Sequence, residues 1–403
     1  MQREAYIIGG KRTPIGRLRG ALGSVRADDL AAIPLKALIN EYKELDPSAI
    51  DDIVLGCANQ AGEDNRNIAR MALLLAGLSY TIPGETVNRL CASGMSAVVH
   101  ARRAIVAGDA DIVIAGGIEH MTRAPYVISK SAKEYGNDSI MHDSTFGWRF
   151  INPKMVEMYG TEAMGETAEN LAELYKVSRH DQDLFAYYSQ QKAMSAQQKG
   201  YFEQEIVDVE IPEGKGKTTL FSSDEFIRPD TSIEKLAALK PVFRNNGSVT
   251  AGNASGLNDG AAALLIASSE GMKNQFLQPI ARIVSVGIVG VEPRLMGTGP
   301  VGASKMALKH AGLTMQQMDI VEINEAFAVQ VLSCIRLLGL EDNDPRINPN
   351  GGAIALGHPL GMSGSRILLS AALELQRRKQ KYALVTMCVG VGQGYAVILE
   401  RSY

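Results

Sequence analysis

Cysteine is scarce in this chain, with four in 403 residues, and so is tryptophan, with one. Cys57, Cys91, Cys334 and Cys388 contain no CxxC pair, which excludes a disulfide framework and a structural zinc site and leaves thiol chemistry as their use. Six histidines stand without HxxxH or HExxH spacing, so no metal site is expected. No Lys/Arg-rich block occurs, and 41 basic against 44 acidic side chains give a net charge of -3, which argues against a nucleic-acid partner. No apolar run approaches the ~20 residues that span a bilayer. The opening MQREAYIIGGKRTPIG puts charges where a secretory leader needs an unbroken apolar stretch, so a cytoplasmic protein with no membrane association is expected.

What is present is an ordinary globular composition, 46% hydrophobic and 21% charged, long enough for two or three domains. Forty glycines punctuate apolar strand-like runs and longer periodic segments, the pattern of an α/β protein. TVNRL from Thr86 reads as a strand, Met95, Val98, Val99, Ile105 and Val106 recur at helical spacing, and DIVIAGG from Asp111 reads as the next buried strand. This unit implies a right-handed parallel crossover. Near the C-terminus, Ser363 to Gln376 reads as helix, YALVTMC from Tyr382 as strand and YAVILE from Tyr395 as its partner. The two regions echo each other. GMS at Gly94 and GMS at Gly361 each open a helix that leads into an apolar strand, and AIDDIVLG matches QMDIVEIN, so an internal duplication is expected. Residues 125–250 differ, with long polar helical stretches, and read as an inserted loop domain. The expected organisation is therefore an N-terminal half over 1–124, completed by 251–275, the insertion over 125–250, and a C-terminal half over 276–403.

Four positions at strand ends carry groups suited to chemistry. Cys91 lies between a strand and a helix start, where the macrodipole and free N–H groups favour a thiolate; the alternative is a small core cysteine. His358 sits in NPNGGAIALGHPLGMSG, a loop shaped by glycine and proline, either as a general base or as a histidine bonded to backbone. Cys388 precedes GVGQG, whose unhindered amides suit an oxyanion hole. A dinucleotide fingerprint fails there, because no helix and distal acid can follow so close to the C-terminus. Asn324 follows a buried strand, as a helix cap or as a site residue. Together, two thiols, an imidazole and a carboxamide suit thioester chemistry.

With NRLCASGMSA around Cys91, NEAFA at Asn324, GGAIALGHPLGMSG at His358 and CVGVGQG at Cys388 in this order, the chain resembles the thiolases from end to end. Through SVRADDLAAIPLKALI, LGCANQAGEDNRN, GWRFINP and GVEPRLMGTGPV it is most similar to those acting on 3-oxoadipyl-CoA. The resemblance implies a five-layered αβαβα fold of two fused halves and a homotetramer built as a dimer of dimers. It implies CoA as co-substrate with no covalently bound cofactor, and cleavage of 3-oxoadipyl-CoA to succinyl-CoA and acetyl-CoA in aromatic degradation. It makes Cys91 the acylated nucleophile, His358 its activator and an oxyanion donor, Cys388 the acid/base, Asn324 the holder of a water, and the amides of Cys91 and Gly390 a second oxyanion hole. Met164, Arg228, Phe243, Ala251, Ser255, Ala326 and Phe327 match positions that line the CoA tunnel.

Two departures qualify this picture. Acetoacetyl-CoA thiolases carry histidine where this chain has Ala163, and a serine of the adenine-side loop is here Lys235. Cysteine rather than serine suits the reaction, because its thioester is near in energy to the one it exchanges with. Alternatives are an acetyl-CoA acetyltransferase, a general 3-ketoacyl-CoA thiolase, a ketoacyl synthase (which uses two histidines) and a non-catalytic acyl-CoA or lipid-binding protein of this fold. A substrate ending in a carboxylate needs a cation, for which Arg149 in GWRFINP is the candidate, with Arg123 and Arg294 behind it. The competing account of Arg149 is a pair with Asp143 or a place on an oligomer surface.

Overall fold

The computed structural model describes residues 3–214 and 216–402. Its first half runs β1 (Ala5–Arg12), α1 (Ala27–Glu41), β2 (Asp52–Gly56), α2 (Ile68–Leu75), β3 (Gly84–Val87), α3 (Ser93–Ala107) and β4 (Ile112–His120). Two short hairpins, Tyr126–Ile128 with Met141–Asp143 and Val209–Gly214 with Lys217–Phe221, flank the helices α4 (Met164–Tyr175) and α5 (Arg179–Gln198). β5 (Asn258–Ser268) then returns to the first sheet. The second half follows as β6 (Ala281–Gly290), α6 (Gly299–Ala311), β7 (Ile320–Ile323), α7 (Ala328–Leu337), α8 (Leu360–Arg378), β8 (Tyr382–Val389) and β9 (Gln393–Arg401).

Strand order makes the duplication explicit. The first half reads β3-β2-β4-β5-β1 and the second β7-β8-β9-β6, with β1 and β6 joined by only two residue pairs, Tyr6 with Arg282 and Ile7 with Ala281. Superposing β1 on β6, β2 on β7, β4 on β8 and β5 on β9 preserves every parallel and antiparallel pairing. The place of β3 is held in the second half by a single parallel bridge, Val321 to Ile347.

Burial sorts the layers. Along β4, Ile112 and Ile114 join a core with α1 and α2, while Val113 and Ala115 face α3 and α8. Along β8, Leu384 and Cys388 join a core with α6 and α7, while Val385 and Met387 face α3 and α8. Each sheet is thus apolar on both faces, as strands covered by helices on both sides must be. The result is five layers, αβαβα, with α3 and α8 shared at the centre. The strand expected over TVNRL ends at Val87, where the chain leaves the ladder for a short turn of 3-10 helix over Leu90–Ala92. The polar stretches after Gly165 form two helices; Ser178 accepts a hydrogen bond from Asp181 N and caps the second. A wholly buried ion cluster, Arg12 with Glu205 at 2.8 Å and Asp224 at 2.7 Å, fastens the segment around the second hairpin to the end of β1.

Candidate active site

The two GMS segments place the site. Helices α3 and α8 meet at their N-terminal ends so closely that a Cβ on Gly94 would lie 2.5 Å from Gly361 O. A Cβ on Gly361 would lie 2.7 Å from Gly56 O and nearer still to Ile118 O. Only glycine permits this backbone contact. It brings the residues just before each helix, Cys91 and His358, to the same end of the helix pair.

Cys91 lies in the 3-10 turn that runs straight into α3. The turn is held under strain: Leu90 has φ +47°, a left-handed conformation that costs a branched side chain ~1–3 kcal/mol. Its neighbours fix it there. Leu90 N donates to Asn88 Oδ1 at 2.8 Å, Asn88 Nδ2 donates to Ala58 O at 3.0 Å, and Ser93 Oγ donates to Leu90 O at 2.7 Å. The expected acidic thiol is not found. Burial pushes Cys91 up to about 11, while hydrogen bonding from the backbone of Gly390 and of Cys91 itself opposes that rise. The desolvation of a thiolate outweighs one helix start.

His358 is buried, and its ring bonds side chains rather than backbone. Nδ1 lies 2.6 Å from Ser363 Oγ, which itself donates to Pro359 O at 2.8 Å. A hydroxyl has one proton, so the ring must donate from Nδ1, leaving the Nε2 lone pair toward the cleft. Asn324 Nδ2 approaches that Nε2 at 3.3 Å. Burial, with the positive charge of Arg366, pushes the imidazole down to about 3, so the ring is neutral at rest. Asn258 fixes the loop by accepting His358 N at 3.0 Å.

Asn324 ends β7 and caps nothing. The N-cap of α7 is Phe327, and Asn324 Oδ1 is buried with no partner among the described residues, a vacant acceptor beside His358. Glu325 beside it is consumed by Ser189 Oγ, Asn348 Nδ2 and Ile354 N, which pin this loop to the glycine-rich loop of His358. Cys388, near the end of β8, is buried, and burial followed by the neighbouring thiols of Cys91 and Cys334 pushes its thiol well up. Gly390 then turns the chain back; a Cβ there would stand 3.1 Å from Leu90 and 3.9 Å from Met164 Sδ, so Met164 lies against the loop that faces Cys91.

The other tunnel candidates gather partly. Phe243 and Phe327 meet edge-to-face at 6.3 Å, Gly165 packs on Phe243, and Ser255 bonds Ala326 O at 3.0 Å through its N. Arg228 lies over Phe226 at 5.0 Å, and Phe226 in turn abuts Gly256. Ala251 is exposed, and Lys235 is exposed and paired with Asp230 at 2.7 Å.

Sequence reasoning missed Glu119. Buried at the end of β4, it accepts N–H groups from Ala58, Asn59 and Gly361, tying the loop after β2 to the start of α8. Burial pushes it up to about 7 against those bonds. A carboxylate inside the apolar run IVIAGGIEH was the available signal, because a buried charge must be satisfied by something nearby. Cys57, Asp64 and Glu119 lie close together, but Asp64 is already engaged by the N–H groups of Gln60 and Gly62.

Known proteins match along the whole chain. Residues 5–270 fit the family model described as thiolase, N-terminal domain, and residues 277–401 that described as thiolase, C-terminal domain. The 3-oxoadipyl-CoA/3-oxo-5,6-dehydrosuberyl-CoA thiolase of Escherichia coli (strain K12) is 59% identical over 399 residues, 99% of this chain and 100% of that protein. A beta-ketoadipyl-CoA thiolase of Acinetobacter baylyi is 55% identical over the same shares. The crystal structure of human mitochondrial 3-ketoacyl-CoA thiolase superposes with a TM-score of 0.92 at 40% identity, covering 100% of each chain.

Proposed function

The chain belongs to the thiolase family, and on that premise we propose that it cleaves 3-oxoadipyl-CoA with CoA to succinyl-CoA and acetyl-CoA, a step of aromatic-compound degradation. The substrate reading draws on the full-length likeness to relatives that bear this substrate in their names. The single observation that carries the chemistry is the packing of Gly94 on Gly361, which brings together the starts of α3 and α8 and with them Cys91 and His358.

In this reading the Cys91 thiol attacks the 3-keto carbon and gives its proton to His358 Nε2. The resting groups are neutral, so that proton leaves only as the new bond forms. The Cys91 and Gly390 amides receive one developing oxyanion; each such donor contributes ~3 kcal/mol. The C2–C3 bond then breaks, and Cys388 protonates the acetyl-CoA enolate, whose oxygen faces His358 and a water held by Asn324. Succinyl remains on Cys91 until the thiol of a second CoA, giving its proton to the Cys388 thiolate, attacks the thioester; Cys91 departs and takes its proton back from His358. Met164, Arg228, Phe243, Ala251, Ser255, Ala326 and Phe327 line the approach of CoA, which acts as co-substrate.

The protein works in this account as a homotetramer, and four free thiols suit the reducing cytoplasm. No helix among the described residues is long and apolar enough to cross a membrane. The test is mass spectrometry of the acyl-enzyme. Cys91→Ala should form none, whereas Cys388→Ala should still be acylated by acetyl-CoA yet fail to cleave the C–C bond. A turnover-competent adduct on the Cys91→Ala protein refutes the assignment.

A further inference from the structure

We propose that the Arg149 guanidinium receives the terminal carboxylate of the acyl group, so that the acyl pocket selects 3-oxoacyl chains ending in an acid. This rests on the substrate reading above and names the residue that would enforce it. Arg149 is half-buried, and its partners are all neutral: Ser144 O at 3.4 Å, Asn59 O at 3.4 Å and Asn59 Oδ1 at 3.2 Å. These bonds orient the side chain without neutralising it, and they are longer than the ~2.7–2.9 Å of a charge-assisted bond. Nη1 and Nη2 are so used, and Nε–H and one Nη1–H remain free among the described residues.

The pair with Asp143 is not made. Asp143 bonds Thr145 N at 2.9 Å and makes no ion pair with Arg149 among the described residues. The two other arginines considered are already matched, Arg123 to Glu63 and Arg294 to Glu162. A guanidinium bound to an acid gains little from a second one, whereas Arg149 still needs its counter-charge.

Position completes the case. Arg149 is anchored on Asn59, whose N donates to Glu119; next to it, Ala58 O receives Asn88 Nδ2, and Asn88 Oδ1 receives Leu90 N. One loop therefore separates the guanidinium from the residue before Cys91. The succinyl group on Cys91 has only two methylenes between its thioester carbonyl and its carboxylate, so the receiving cation has to stand close to the nucleophile turn.

The experiment compares 3-oxoadipyl-CoA with 3-oxohexanoyl-CoA, which carries a methyl where the carboxylate stands, on the wild type, Arg149→Gln and Arg149→Lys. We expect Arg149→Gln to lower kcat/KM for 3-oxoadipyl-CoA by roughly 10- to 100-fold and to leave 3-oxohexanoyl-CoA within about 2-fold. Arg149→Lys should fall between, having charge without the fork. Should the glutamine variant lose its melting transition, the lysine variant carries the same comparison. Equal losses on both substrates, or no loss on either, overturn the assignment of Arg149 while leaving the reaction in place. A wild type that cleaves 3-oxohexanoyl-CoA but not 3-oxoadipyl-CoA instead overturns the substrate reading.

Discussion

Replacing Gly361 by alanine adds one methyl group at the crossing of α3 and α8. That carbon would lie 2.7 Å from Gly56 O and nearer to Ile118 O, where ordinary contact begins at 3.4 Å. Both neighbours are backbone within buried strands, so neither can turn aside as a side chain would. The start of α8 must retreat by roughly 1 Å, and overpacking of this kind costs ~1–3 kcal/mol of stability. Gly361 N would also leave Glu119, which it meets at 2.8 Å. The larger effect falls on turnover. His358 stands three residues before Gly361 and Ser363 two after it, so the imidazole moves with the helix; a 1 Å misplacement of a reacting group costs about 100-fold. Thiolysis of 3-oxoadipyl-CoA, followed by loss of the magnesium-enolate absorbance, should therefore fall by roughly two orders of magnitude while the protein stays folded. Gly77→Ala is the control: Gly77 has φ +82° and nothing within 4 Å, so alanine there should lower stability by ~1 kcal/mol and leave turnover alone. A Gly361→Ala enzyme with wild-type Tm and wild-type kcat refutes the claim that this contact registers the nucleophile against the base.

Two further expectations concern reactivity and assembly. Iodoacetamide should label Cys91 before Cys57, Cys334 and Cys388, because it alone of the four is partly exposed; with its thiol near 11, the rate should climb ~10-fold per pH unit from 7 to 10, and a plateau below pH 9 contradicts the assigned acidity. The hairpin Tyr126–Ile128 with Met141–Asp143 exposes Tyr126, Ile128 and Met141 at 65–68%, and we expect the proposed tetramer to bury this apolar face. Ile128→Glu should shift the sedimentation coefficient to that of a smaller species, and an unchanged value removes the hairpin from the interface.

The sequence displays its duplication through local signals, and these are the ones that survive folding. The strand-like run ending at Cys388, the helix opening at Gly361 and the apolar strand before Asn324 depend on neighbours in the chain, and each forms at those residues. Acidity does not work this way. A helix start after Cys91 is visible in the residues, but the low-dielectric wall that raises its thiol is assembled from both halves. The same holds for Asn258, which holds His358 across 100 positions, and for Glu119, which reaches Gly361 across 242. Arg149 illustrates the reverse case. Asp143, six residues away, was the natural partner by sequence, and the fold gives that acid to Thr145 instead.

Because each strand end of the first sheet has a counterpart in the second, the protein contains two cradles of one construction. By strand register, Gly56 at the end of β2 corresponds to Asn324 after β7, Cys91 before α3 to His358 before α8, and Ile118 in β4 to Cys388 in β8. A single ancestral half pairing with itself would have to perform every task at both places with identical residues. Joined in one chain, the copies are free to diverge: in the proposed reaction one strand carries a thiol that moves protons, where its twin carries an isoleucine and, next to it, a carboxylate that bonds three amides. Division of labour between fused siblings thus gives an asymmetric reaction centre on a nearly symmetric frame, and neither sibling expressed alone would own a complete set of reacting groups.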